Sequence, residues 1–144
     1  MDNTFSPLKL IGLMAFLLPA LSFAKGDLSQ RATELPKLVL GNTPDGYGLS
    51  EKQYNIETGK SYVLEIESTG NKECAFEATR FFNNVWVRKI ELNGIEVKAN
   101  GIYELEFERE GEVELYFVPI KPGSYSYECR GLASKGMHGT ISIE

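Results

Sequence analysis

The chain has 144 residues, with 15 basic and 20 acidic side chains and a formal net charge of −5. This length suits one domain with a substantial core and is short for two ordinary domains. The acidic balance, together with the lack of a basic stretch interleaved with aromatic residues, argues against a nucleic-acid-binding protein.

The N-terminal residues 1–24 have the features of a secretory signal peptide. Lys9 supplies a positive charge. The apolar run covers residues 10–18 and continues to 23, which is short for a membrane span. Ser22 and Ala24 are small residues at the two positions that determine cleavage. We therefore expect cleavage after Ala24, a periplasmic or secreted location, and no membrane span in the mature protein. The alternative interpretation is an uncleaved membrane anchor.

The mature part begins with residues 25–35, which are polar and irregular and predict a flexible leader. Residues 36–144 then form short stretches that alternate between apolar and polar residues and are separated by turn formers. No helix is predicted, and the residues 81–84, Phe-Phe-Asn-Asn, are either a bend or a docking surface. Strands are predicted near 36–41, 53–57, 61–67, 73–79, 85–97 with a turn at Asn93-Gly94, 102–108, 113–117, 124–130 and 137–144. This pattern predicts an all-β Greek-key sandwich of about eight strands.

The strand after the Pro122-Gly123 turn carries one of the two cysteines of the chain. In this strand Tyr125, Tyr127 and Cys129 recur at every second position and share one face. Because strands of a sandwich bury one face, this alternation points Cys129 toward the core.

The same reasoning applies to three other residues that can bind metals. Cys74 lies on the apolar face of its predicted strand, together with Phe76 and Ala78. Met137 lies on the inward face of the last strand, and His138 lies on the opposite face. Alternation therefore places both cysteines and Met137 on sides that face the core.

This C-terminal layout resembles the copper loop of the cupredoxins. The matching features are the Pro-Gly turn, the aromatic-x-aromatic-x-Cys strand that ends at Cys129, the methionine eight residues later at Met137, and the final Gly-Thr-Ile-Ser-Ile strand at 139–143. The resemblance implies a cupredoxin-like domain over residues 36–144.

The chain departs from the usual ligand set of that family. Cupredoxins bind copper through a Cys, a His three to five residues later, a weak axial Met and a second His from an earlier strand. Here Leu132, Ala133 and Ser134 occupy the loop positions, and His138 is the only histidine of the chain. A blue copper centre needs two imidazoles, so the resemblance implies a variant without a normal blue site.

The resemblance also places Cys74 near the position of the family's first histidine. Cys74 and Cys129 would then meet at one end of the sandwich, beside Met137. Three sulfur atoms form a soft site that favours Cu(I), so copper is the expected cofactor. His138 and Glu73 are weaker candidate ligands. Such a site would serve metal carriage or one-electron transfer, with a periplasmic redox or metal-transport protein as the partner.

Iron is a less favoured cofactor, on the strength of a second resemblance. The loop Cys-Arg-Gly-Leu-Ala-Ser-Lys-Gly, residues 129–136, is similar to that of the cupredoxin-like domain in periplasmic iron-uptake proteins that lacks the histidines. The resemblance implies that this loop handles iron or copper.

A disulfide between Cys74 and Cys129 is the alternative to the metal site. Two cysteines in an exported domain are commonly paired, because the compartment is oxidising. The bridged protein would be a metal-free interaction or scaffold module. The spacing of the cysteines does not separate these hypotheses. With one histidine, and without a phosphate-binding glycine loop or paired catalytic carboxylates, an enzyme is not expected.

Overall fold

The computed structural model describes residues 30–144. The predicted signal peptide, 1–24, lies outside these residues, as does the first part of the predicted leader. Within the described part, Thr33 and Glu34 of that leader form a two-residue strand, and the amide of Thr33 donates to the carbonyl of Ser61 at 2.8 Å. No helix among residues 30–144 is long and apolar enough to cross a membrane.

The described residues form eleven β-strands, one short α-helix and one 3-10 helix. The elements are β1 (Thr33–Glu34), β2 (Leu38–Leu40), β3 (Gln53–Ile56), β4 (Tyr62–Ser68), β5 (Cys74–Glu77), α1 (Thr79–Phe82), β6 (Val85–Leu92), β7 (Ile95–Val97), β8 (Glu104–Phe107), β9 (Gly111–Pro119), β10 (Gly123–Cys129), the 3-10 helix (Ala133–Lys135) and β11 (His138–Ile143). Only β1 has no counterpart among the predicted strands.

The strands form two facing sheets. The first sheet has the order β1-β4-β9-β6-β7, and β2 also pairs with β4. The second sheet has the order β3-β11-β10-β5-β8. Pairing is antiparallel except where β1 and β2 meet β4 and where β3 meets β11. This arrangement is the all-β sandwich that the alternating pattern predicts.

The core lies between the two sheets and is built from the predicted inward faces. In β4, Tyr62, Leu64 and Ile66 are buried, and the residues between them are partly exposed. Aromatic rings fill the centre, where Phe81 and Phe117 pack edge to face with centroids 5.1 Å apart. Edge-to-face contacts satisfy the ring quadrupoles and add to the free energy of burial.

Strict alternation does not describe β6. Val85 and Val87 are buried, but the next buried residue is Ile90. A β-bulge between Val87 and Lys89 inserts one residue relative to β9, which turns Ile90 to the core. Local periodicity cannot predict such a bulge, because the pairing with β9 creates it.

The interruption at 81–84 is a bend. Its first two residues end the one-turn helix α1, in which the amide of Phe82 donates to the carbonyl of Ala78 at 2.9 Å. Phe81 and Phe82 are both buried, so neither ring offers a docking surface. Alternation along the predicted strand 102–108 places Tyr103 on the same face as Leu105 and Phe107. This prediction is wrong, because Tyr103 precedes β8 and is 64% exposed.

Candidate functional site

Cys74 and Cys129 form a disulfide within the second sheet. Cys74 begins β5 and Cys129 ends β10, its antiparallel neighbour, and their Cα atoms are 5.0 Å apart. Each cysteine is 1% exposed. The structure therefore brings the two predicted cysteines together at one end of the sandwich and joins them, as the disulfide hypothesis predicts. We call Cys74, Cys129 and Met137 the sulfur pole.

Main-chain pairing on both sides holds this disulfide in place. Cys129 lies opposite Phe76, and the amide of Arg130 donates to the carbonyl of Ala75 at 2.9 Å. On its other side β5 pairs with β8, where Cys74 lies opposite Phe107. The bridge therefore joins β10 to β5, and β5 in turn pairs with β8, the edge strand of the sheet.

Met137 lies beside the bridge, as the resemblance implies. It is fully buried, and its carbonyl accepts a hydrogen bond from the amide of Cys129 at 3.0 Å. The loop between them turns through the 3-10 helix, which ends at Gly136 with a φ of 85°. Glycine tolerates this left-handed conformation, so the chain can reverse direction and bring Met137 back against Cys129.

The two weaker candidate ligands face away from the sulfur pole. His138 is exposed, and its Nδ1 lies 3.0 Å from the carbonyl oxygen of Ala133 on the surface. Glu73 is also exposed. Both positions follow from alternation, because each residue is adjacent to an inward-facing one and so points to the other face.

In the bridged state the sulfur pole does not fit the copper site of a cupredoxin. Such a site uses a thiolate and two imidazoles. Cys74 and Cys129 share a covalent bond and offer no thiolate, and His138 is on the outside of the sheet. Met137 alone would supply one weak thioether donor.

The core beneath the bridge is tightly packed around Tyr127. A Cβ atom added at Gly139 would lie 2.3 Å from Cζ of Tyr127 and 2.7 Å from the carbonyl oxygen of Lys52, so the ring occupies the space that a side chain would need. The sequence contains the signal for this contact, because Gly139 stands at an inward position of β11. The pairing of Tyr127 with Gly139 is needed to explain why a glycine stands at this inward position.

Two tyrosine hydroxyls in this region are buried and hydrogen-bonded. Tyr127 donates to the carbonyl of Glu51 at 2.8 Å, and Tyr54 donates to the carbonyl of Pro36 at 3.0 Å. Burial raises the pKa of both phenols well above the usual value, because it disfavours the charged phenolate. These rings therefore remain neutral and act as packing.

An acidic cluster on the first sheet also has donor atoms close together. Carboxylate oxygens of Glu65, Glu67 and Glu112 lie within 4.8 Å of one another. The ammonium of Lys37 occupies this cluster. It pairs with Glu65, and it lies 2.9 Å from Glu67 and 3.4 Å from Glu112. Hydrogen bonds to Glu65 and Glu67 raise the pKa of Lys37. The cluster is thus an ion-pair network around a lysine.

The sequence interpretation missed a cleft at the side of the sandwich. Its volume is about 550 Å³, and it lies between the edge strands β7 and β8. Its apolar lining is Ile90, Leu92, Val97, Leu105, Phe107 and Val113. We call this feature the edge cleft. The exposed Leu92 and Val97 could have signalled it, but alternation cannot tell an edge strand from a central one.

No family model and no curated protein matches this chain. Solved structures match at the level of the fold. A multicopper oxidase from Pediococcus acidilactici is 18% identical with a TM-score of 0.59, over 99% of this chain and 30% of that chain. McoA multicopper oxidase from Aquifex aeolicus is 11% identical with a TM-score of 0.58, over 78% and 29%. A multicopper oxidase from Campylobacter jejuni is 13% identical with a TM-score of 0.56, over 80% and 31%.

These comparisons confirm the predicted cupredoxin-like Greek-key fold. The chain spans about a third of the length of each of these oxidases. At such low identity the likeness shows the fold alone. Any binding or catalytic chemistry depends on the side chains of this chain.

Proposed function

We propose that the chain is an exported cupredoxin-like binding module that works without a bound metal, with Cys74–Cys129 as a structural bridge. The observation that carries this proposal is the buried disulfide between the two cysteines that would be the main ligands. Metals bind the thiolate form of cysteine, and a disulfide has none.

Two further features support an exported, binding role. A buried disulfide suits an oxidising compartment, which agrees with the signal features of residues 1–24. The sulfur pole is closed to solvent, since Cys74, Cys129 and Met137 are all buried. Contact with other molecules therefore has to use the outer surface, and the edge cleft is an opening with an apolar lining there.

The state of the cysteines and the metal content test this proposal. We expect protein isolated from the export compartment to resist alkylation after unfolding without reductant, and to have a mass two hydrogens below that of the dithiol. We also expect no copper or iron after purification, and no intense thiolate-to-copper absorption when Cu(II) is added. Two alkylated cysteines together with one retained metal ion per chain would overturn it.

A second candidate function applies to the reduced protein and rests on the position of Met137. If a thiol reductant supplies two electrons and two protons, Cys74 and Cys129 become thiols beside the thioether of Met137. Three sulfur donors suit Cu(I), so the reduced sulfur pole is a candidate soft-metal site.

Competition with a Cu(I) chelator tests this second candidate. Reduced protein should hold one Cu(I) per chain against the chelator, and Met137→Leu should weaken that binding while the fold is kept, because leucine has a similar volume. His138→Ala is the matched control and should bind as tightly as the wild type. Equal affinity for wild type and Met137→Leu would exclude the thioether as a ligand.

A further inference from the structure

The edge cleft lies between two strand edges that have no partner among the described residues. β7 pairs only with β6, and β8 pairs only with β5, so each ends its own sheet. An edge strand presents unpaired amide and carbonyl groups, which can pair with an added extended segment. Both edges border the same cleft, through Val97 of β7 and Leu105 and Phe107 of β8.

The floor of the edge cleft is apolar and its mouth is partly open to solvent. The β6–β7 hairpin forms one wall, and Leu92 and Val97 are each 38% exposed there. The Asn93-Gly94 turn has positive φ at both residues, 48° and 75°, which is the geometry of a tight two-residue hairpin. The hairpin therefore holds apolar side chains at the surface on a well-defined frame.

The rim of the edge cleft carries negative charge that no base among residues 30–144 pairs with. Glu106, Glu108 and Glu110 line the cleft and are exposed, and none of them forms an ion pair with a residue in 30–144. The glutamates around them are paired, since Glu112 meets Lys37 and Glu104 meets Arg130. One base, Arg109, lies among the three unpaired acids.

We propose that the edge cleft binds an extended segment of a partner protein in which lysine or arginine alternates with apolar residues. Apolar side chains of the segment would fill the floor, and its basic side chains would face Glu106, Glu108 and Glu110. Its backbone would pair with the free edge of β8. The proposal rests on the proposed function as a binding module and names its surface and the chemistry of its partner.

The charge of the cleft disfavours the other simple occupant, a second copy of this chain. Two copies would bring their unpaired glutamates together, and the chain as a whole has a net charge of −5. Like charges brought together across an interface are repulsive, whereas complementary charges accelerate and orient association.

Synthetic peptides test the proposal. The probe is a nine-residue capped peptide that alternates Lys and Val, and its binding to the full mature protein is followed by fluorescence anisotropy. Two control peptides replace Lys by Glu or Val by Ser. We expect binding of the Lys-Val peptide alone, weakening as salt rises. Equal binding of the Lys-Ser peptide would reduce the effect to charge attraction and overturn the proposed apolar floor.

A charge variant locates the binding surface. The affinity for the Lys-Val peptide should fall on the order of tenfold at low salt when three changes are combined, Glu106→Gln, Glu108→Gln and Glu110→Gln. The matched control changes Glu34, Glu51 and Glu144 to glutamine. These lie by β1, β3 and β11, toward the opposite edges of the sheets, and the control should bind within about twofold of wild type.

A pair of apolar variants tests the floor. Val97→Thr keeps the shape and the β-propensity of the side chain but replaces one methyl group with a hydroxyl, and the lost apolar contact corresponds to about a fourfold loss of affinity. Ile120→Thr is the control, because Ile120 is exposed outside the cleft. Circular dichroism on each variant shows that the fold is retained.

The outcomes separate this proposal from the proposed function. If the charge variant and its control bind the peptide equally, or if no peptide binds, the edge cleft is excluded, while the disulfide and metal measurements still stand. If sedimentation shows a dimer that the charge variant alters, the cleft joins two copies and the proposal is wrong. If the cysteines are free and metal-loaded but the cleft binds the peptide, the proposed function fails and this inference survives.

Discussion

The sulfur pole and the edge cleft lie on either side of one strand, β5, and differ in almost every physical property. At the pole, β5 is joined to β10 by the Cys74–Cys129 bridge, which is buried and uncharged. At the cleft, the next strand β8 has an edge without a partner strand in the described part of the chain, and Glu106, Glu108 and Glu110 in and after β8 form no ion pair there. The contrast teaches that one strand can be covalently fixed and buried on one side while its other side leads to an open, charged edge of the sheet.

The two regions are also mechanically connected. Cys74 lies opposite Phe107 in the pairing of β5 with β8, and Phe107 is part of the cleft floor. A bridge that holds β5 against β10 therefore supports the strand on which the cleft depends. We expect perturbation of the pole to lower stability first and cleft binding second, and perturbation of the rim to change binding alone.

Removal of the bridge should have the largest effect. Cys74→Ala combined with Cys129→Ala opens a loop of 55 residues, and loop-closure entropy then corresponds to a loss of about 4 kcal/mol in the free energy of unfolding. Urea unfolding monitored by tryptophan fluorescence measures this loss. A loss below about 1 kcal/mol would show that the bridge is not a main support of the fold.

Packing beneath the bridge should give the next largest effect. Gly139→Ala forces a methyl group against the ring of Tyr127, and overpacking of this kind costs about 1–3 kcal/mol. Gly101→Ala is the matched control, because an added Cβ there meets nothing within 4 Å. Thermal unfolding should separate the two variants by several degrees. Similar melting temperatures would mean that Tyr127 can move aside.

High pH should destabilise the pole side of the core. Burial raises the pKa of Tyr54 and Tyr127 in the folded protein, so their contribution to stability is complete below the unfolded pKa of about 10. It is lost as pH rises above that value toward the raised folded pKa, at about 1.4 kcal/mol per pH unit for each ring. Urea unfolding between pH 9 and 11 measures the slope, and Tyr54→Phe should reduce it. An unchanged slope in this variant would contradict the buried phenol at Tyr54.

The rim of the cleft should have the smallest effect on stability. Glu106→Gln, Glu108→Gln and Glu110→Gln together should change the free energy of unfolding by about 0.5 kcal/mol or less, because these exposed carboxylates have no ion-pair partner within residues 30–144. Chemical denaturation of this variant beside the wild type measures the change. A clear loss of stability would show that these acids support the fold, so that the rim and the sulfur pole would no longer differ in their effect on stability.

Elements with a regular local pattern were predicted well from the sequence. Alternation placed Tyr62, Leu64 and Ile66 of β4 correctly, and the Asn93-Gly94 pair identified the hairpin between β6 and β7. Alternation failed where pairing alters the register. The bulge after Val87 turns Ile90 inward, and one helical turn buries Phe81 although the pattern is interrupted there.

The sequence likewise predicts one part of the candidate site, the direction of its side chains, and does not predict the other, the bond between its sulfur atoms. The inward faces of Cys74, Cys129 and Met137 follow from a period of two, so they could be predicted together with the outward face of His138. The choice between a bridge and three free sulfur atoms could not. It depends on how close two strands bring atoms that are 55 residues apart along the chain.

By itself, the amino-acid sequence determined which faces of the strands are buried, where the chain turns, and that the product is an all-β sandwich. These properties depend on neighbours a few residues apart, because side chains alternate along a strand and turns need particular backbone angles. Only the tertiary structure decided that the sulfur atoms of Cys74 and Cys129 are joined and that β7 and β8 each lie at one edge of their sheet with a cleft between them. Both facts depend on which distant strands pair, and strand order is a property of the whole fold.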